Sequence, residues 1–153
     1  MKQILVMTVF LIEVVSQAQA EVALGVVLGD PTGFSGRFSL DKSHSVSTAL
    51  AFSSRRHERL HFNLNYLWDN ARVFTTSGGG PLGMYYGLGA RVIAIDGGRH
   101  DGEVAFAPRA PLGLLYKFTN PNLEVFAELA VNLDVVPEMD VDLDAGIGVR
   151  IRF

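Results

Sequence analysis

The sequence contains no cysteine, one tryptophan and 6 prolines in 153 residues, and only 19% of it is charged. Without cysteine there is no disulfide framework, no thiolate nucleophile and no cysteine-held metal. A net charge of −3 leaves no basic footprint for nucleic acid, which needs clustered Lys and Arg. Past Ala20 there is no long apolar run, so no helix of the remaining chain is expected to cross a membrane. What is present in quantity is apolar side chains, 48% of the total, together with 16 glycines. The mean hydropathy is +0.24. The length is that of one domain plus a short processed segment.

That segment is residues 1–20. Lys2 supplies a positive start, the apolar run from Ile4 to Ile12 follows, and Ala18-Gln19-Ala20 gives the small-x-small pattern of a signal peptidase site. The run is too short to span a bilayer. The sequence therefore predicts a cleaved export signal at 1–20 and a mature domain at 21–153.

From residue 22 onward the hydrophobic pattern has period two, the mark of β-strands. In the last segment Val141, Leu143, Ala145, Ile147, Val149, Ile151 and Phe153 alternate without a break with Asp140, Asp142, Asp144, Gly146, Gly148, Arg150 and Arg152. The spacing predicts eight strands, near 22–28, 34–40, 46–52, 60–68, 84–93, 112–118, 123–135 and 140–153. Turn chemistry separates them, as in Asp30-Pro31-Thr32-Gly33 and Asn120-Pro121-Asn122. Longer links are expected at 53–59, 70–81 and 96–108. Eight hairpin-linked strands form an all-β, antiparallel up-and-down barrel.

A soluble barrel hides its large apolar face, whereas a transmembrane barrel turns that face to lipid and keeps a polar lumen. Here the apolar face is nearly pure Leu, Val, Ile and Phe, and the other face carries Gly, Ser, Ala, Asn and charges. Aromatic placement agrees. Tyr66, Trp68, Tyr86, Tyr116, Phe118 and Phe153 fall towards one rim, and Phe34, Phe52 and Phe62 towards the other. Two aromatic girdles mark a bacterial outer-membrane barrel, here with both termini periplasmic.

The closing stretch Gly146-Ile-Gly-Val-Arg-Ile-Arg-Phe153 resembles the C-terminal signal read by the outer-membrane barrel assembly machinery, with Val149, Ile151 and Phe153 as its apolar and terminal aromatic positions. The topology resembles the transmembrane domain of outer-membrane protein A. The phrases Leu28-Gly-Asp-Pro-Thr-Gly-Phe-Ser-Gly36, Tyr66-Leu-Trp68, Tyr85-Tyr-Gly-Leu-Gly-Ala-Arg91 and Arg109-Ala-Pro-Leu-Gly113 resemble a family of small outer-membrane barrels of spirochaetes and predatory bacteria. The resemblance spans the mature chain. It implies a fold and a location but no activity.

The lumen face is expected to hold Arg37, Arg91, Arg109, Lys117, Arg150 and Arg152 against Glu124, Glu128, Asp134, Asp140, Asp142 and Asp144. Buried charges persist when paired, so the expectation is an ion-pair network that plugs the lumen. Arg91 and Glu128 are its central candidates, with Arg37, Arg150 and Asp144 contributing. A narrow gated channel is the first alternative. A lipid-modifying enzyme is the second, but His57, His100, Ser53, Ser54 and Asp101 form no spaced motif, His44 lies in a turn, and His61 points into the lumen. Arg55, Arg56, His57 and Arg59 make a basic extracellular loop suited to lipopolysaccharide phosphates, another polyanion or a protein. The stretch 96–103 has acidic residues but not the ordered spacing of a calcium loop. No cofactor, metal or nucleic-acid partner is expected, and the barrel is read as a monomer.

Overall fold

A computed structural model describes residues 21–53, 58–75, 81–96, 104–135 and 139–153. Its strands are β1 (Val22–Asp30), β2 (Thr32–Ser39), β3 (His44–Ser53), β4 (Glu58–Thr75), β5 (Pro81–Asp96), β6 (Val104–Phe118), β7 (Leu123–Asp134) and β8 (Asp140–Arg152). Each strand pairs with the next and β1 pairs with β8, which closes the barrel. All pairings are antiparallel. Because Ala23 lies opposite Arg152, the start of β1 and the end of β8 share one end of the barrel, here called the terminal end. The opposite end is the far end.

Side-chain alternation along each strand separates two surfaces. On β7, Glu124, Phe126, Ala130 and Asn132 are buried inside, while Val125, Leu129, Val131 and Leu133 are exposed outside. On β8, Asp144 and Arg150 are buried and Val141, Leu143, Ile147, Val149 and Ile151 are exposed. An apolar exterior around a polar interior is the inverse of a soluble protein and the pattern of a barrel built for lipid. The aromatic residues at the terminal end touch one another. Tyr66 meets Trp68 edge-on at 5.2 Å, Trp68 stacks on Tyr86 at 5.7 Å, and Tyr116 meets Phe118 at 4.6 Å.

β4, β5 and β6 are all longer than the alternation suggests, β5 running from Pro81 to Asp96. The sequence places a link at 70–81, yet β4 continues to Thr75, with an irregularity in register between Asn70 and Phe74. Extra residues on one strand of a pair form a bulge, which breaks the parity that sequence reading depends on. The sequence also places a link at 96–108, yet β6 begins at Val104. Pro108 and Pro111 look like strand breakers. The ladder to β5 accommodates Pro111 through a gap between the Tyr86–Leu112 and Gly89–Arg109 pairs.

The wall is uneven. β1 and β2 have 9 and 8 residues, whereas β4, β5 and β6 have 18, 16 and 15. At the far end, the last pair joining β1 to β8 is Asp30 with Ala145, and β8 continues outward past it to Asp140.

Candidate functional site

The charged side chains of the interior form two clusters, set among buried Asn and Ser and a small apolar group of Leu67, Tyr85, Leu115 and Phe126. In the far cluster β5 contributes Arg91, β6 Arg109, β7 Glu128, Asn132 and Asp134, and β8 Asp142 and Asp144. Strand parity puts all of them on the lumen face. Arg91 is fully buried and reaches three carboxylates: Asp134 at 2.8 Å, Asp142 at 3.0 Å and Asp144 at 3.0 Å. Arg109 donates to Glu128 at 2.8 Å, to the Asn132 side-chain oxygen at 3.0 Å and to Asp144. Asp144 thus joins the two guanidiniums. The other oxygen of Glu128 accepts a 2.8 Å hydrogen bond from the Tyr85 hydroxyl.

The terminal cluster consists of separate pairs. Arg150 donates to Glu124 at 2.8 Å and holds the Ser35 hydroxyl through two nitrogens, at 2.8 and 3.0 Å. Its guanidinium lies 3.7 Å from the centre of the Phe126 ring, close enough for a cation–π contact. Arg37 pairs with Asp69 and faces the Tyr85 ring at 5.2 Å. Both rings need glycine beside them: Tyr85 lies over Gly113 and Phe126 over Gly148, where a Cβ would collide with the ring.

At the mouth of the terminal end, Glu21 bridges Lys117 at 3.1 Å and Arg152 at 3.3 Å. Arg152 also donates to the Phe118 carbonyl. Partial burial alone would raise the Glu21 carboxyl. The hydrogen bonds and charges of Lys117 and Arg152 outweigh that and hold it below the usual carboxylate range. In the turn between β2 and β3, the Ser43 amide at 2.6 Å and the adjacent His44 ring hold the Asp41 carboxyl down.

Between the clusters lies a cavity of about 30 Å³, bordered by Ser35, Ser47, Asn63, Asn65, Glu128 and Arg150. That is room for about two water molecules. Asn65 donates to Ser47 at 3.2 Å, and its buried side-chain oxygen has no hydrogen-bond partner, so a water in the cavity would have something to donate to.

Of the residues singled out from sequence, Arg37, Arg91, Glu128, Asp144 and Arg150 all lie in these clusters. Arg91 and Glu128 do not touch. Each engages other residues, and Asp144 and Arg109 connect them. Lys117 and Arg152 meet at Glu21, while Asp140 lies exposed at the far rim. His61 is buried in the lumen. Val149, Ile151 and Phe153 face outward. Arg59 stands in β4 opposite Ser53. Arg55, Arg56 and His57, residues 97–103 and the export segment 1–20 lie outside the described residues. Glu21, Ser35, Asp69 and Tyr85 are site residues that sequence reading passed over. Asp69 shares the parity of His61, Asn63 and Asn65 and was within reach of the same argument. Among the described residues no three acidic or histidine side chains are grouped to hold a metal ion.

No protein-family model matches the chain, and no curated protein matches it. Among solved structures, the N-terminal β-barrel domain of Pseudomonas aeruginosa OprF is similar, with a TM-score of 0.70 at 18% sequence identity. The likeness covers 90% of this chain and 100% of that one. In fold, then, the chain is a closed eight-stranded antiparallel barrel similar to that OprF domain.

Proposed function

We propose that the protein is a monomeric outer-membrane barrel with a plugged lumen, whose work is structural and done at its outer surface. The observation that carries the reading is the far cluster, in which two guanidiniums and four carboxylates occupy the lumen. An interior of eight strands is just filled by side chains, and the cavity between the clusters, about 30 Å³, has room for only about two water molecules. The apolar exterior and its aromatic contacts support a place in the outer membrane. On this reading 1–20 is removed on export, the terminal end faces the periplasm, and the outward Val149, Ile151 and Phe153 engage the assembly machinery. Arg55, Arg56, His57 and Arg59 are then a basic extracellular loop for lipopolysaccharide phosphates, another polyanion or a protein.

Planar-bilayer recording of the purified barrel tests the plug. The expected result is a silent membrane. Sustained conductance from the unmodified protein would overturn the plug and favour the narrow-channel alternative.

A further inference from the structure

Among the described residues, β8 has no strand partner on its β1 side beyond the Asp30–Ala145 pair at the far end. The Phe153 amide donates to the Val22 carbonyl on β1, whereas the Arg152 amide donates to Asn122 on the β7 side. Successive peptide groups along a strand point to alternate sides. The odd residues of β8 therefore turn their backbone groups towards β1 and the even ones towards β7. The pairing of odd residues with β1 runs up to Ala145 opposite Asp30, and then the chain leaves β1 at Pro31. Leu143 and Val141 come next on β8, with their amides aimed at the place where β1 has ended.

Those amides are not bare. The Leu143 N–H donates to the Asp142 carboxylate at 3.0 Å, and the Val141 N–H donates to the Asp140 carboxylate at 2.9 Å. Each is capped by the side chain of the residue just before it. On its other side β8 is fully paired here, with Asp134 opposite Asp140 and Asn132 opposite Asp142. The result is a ladder position beside a strand fully paired on its other side, filled here by the strand's own carboxylates. An uncapped edge of this kind invites indiscriminate pairing.

The side chains around the edge indicate what could replace the caps. Outward lie Val141 and Leu143, both well exposed. Inward lie Asp140, Asp142 and Asp144, facing a cluster in which, among the described side chains, Glu128, Asp134, Asp142 and Asp144 outnumber Arg91 and Arg109. A strand added here would need apolar side chains facing out and positive ones facing in. A second copy of β8 fits poorly, because it would set aspartates against aspartates.

We infer that residues 140–144 of β8 form a docking edge for an extended polypeptide segment of alternating basic and apolar residues. The incoming carbonyls take the amides of Val141 and Leu143. Its Lys or Arg side chains take the Asp140 carboxylate and share the acidic mouth. This is strand addition, in which backbone pairing gives affinity and alternate side chains give specificity. The inference rests on the surface-interaction part of the proposed function and is independent of the plug.

The test uses the full mature barrel in detergent and a short synthetic peptide of alternating lysine and valine, with binding followed by calorimetry and backbone NMR. Saturable binding is expected, with shifts centred on residues 140–144. Val141→Pro removes one edge amide and, with it, only the local cap to Asp140, leaving the pairing of β8 with β7 in place, at an edge position where proline is tolerated. It should weaken binding about tenfold, the scale of one strand hydrogen bond in affinity terms. The Asp140→Asn, Asp142→Asn double variant should weaken it too and flatten its salt dependence. Glutamate–valine peptide should not bind. Binding that survives Val141→Pro intact would mean attraction by charge alone and would overturn strand addition. So would equal binding of the acidic peptide, shifts that map to a dimer of barrels, or no saturable binding at all. A barrel that conducts yet binds the peptide overturns the plug and leaves the edge standing; a silent barrel that fails to bind overturns the edge alone.

Discussion

The two lumen clusters handle buried charge differently. In the far cluster the charges are shared: Arg91 serves three carboxylates, and Asp144 is divided between Arg91 and Arg109. In the terminal cluster they are matched singly, with Arg150 on Glu124 and Arg37 on Asp69, each guanidinium facing an aromatic ring. The carboxylates also differ in access to water. Glu124 is 1% exposed, whereas the Asp142 side chain is 47% exposed. A network that opens on solvent can redistribute after losing a member. A dry pair has nothing to fall back on. The terminal cluster should therefore govern stability, and the far cluster is free to serve the surface.

The largest expected effect breaks the dry pair. Arg150→Ala strands Glu124 and removes the partner of Ser35, so unfolding in detergent should show a loss of about 3–5 kcal/mol. Replacing Glu124 with Gln in the same chain should restore part of it. If Arg150→Ala proved no worse than a far-cluster change, the contrast would fail. Arg91→Ala should cost less, about 1.5–3 kcal/mol, because Asp144 keeps Arg109 and the other carboxylates reach water. Its melting should be more sensitive to salt than that of the unmodified barrel, since like charges then face one another.

The smallest effect lies outside the lumen proper. The Glu21 carboxyl is depressed by Lys117 and Arg152, so the unfolded chain takes up its proton first as the pH falls. The stability it contributes is present at neutral pH and is lost as the pH drops through and below the ordinary carboxylate range. The Glu21 side chain is 32% exposed, and solvent screening limits the contribution to less than about 1 kcal/mol. Melting curves between neutral and acid pH should show this slope, and Glu21→Gln should flatten it. A Glu21→Gln slope identical to that of the unmodified protein would remove the clamp from the account.

Strand number, facing and the charged interior were legible because alternation is a local property. Val141 to Phe153 states its own orientation residue by residue. Partner identity was not legible, since which lumen residues meet depends on the stagger of eight strands around the barrel. Arg91 finds Asp134 and Asp142 on strands not adjacent to its own, and no spacing along the chain encodes that. Asp69 was passed over for another reason. It sits next to Asn70, where turn-forming residues and a bulge imitate the end of a strand, so parity was abandoned one position early. Tyr85 shares the parity of Arg91 on β5, but its hydroxyl bond to Glu128 needs β5 and β7 to be seen together.

The short β1–β2 side has a consequence for the shape of the barrel. A tilted strand needs about 9–11 residues to cross a bilayer, and β1 and β2, with 9 and 8, sit at or below that range, whereas β6 and β8 have 15 and 13. The extra residues of the long strands therefore extend beyond the span that β1 and β2 can cover, so the barrel rises on one side and is low on the other. The low side at β1 and β2 adjoins the part of β8 that runs on past Asp30 without a partner among the described residues, so the unevenness of the wall and the exposed stretch Asp140–Asp144 are one feature.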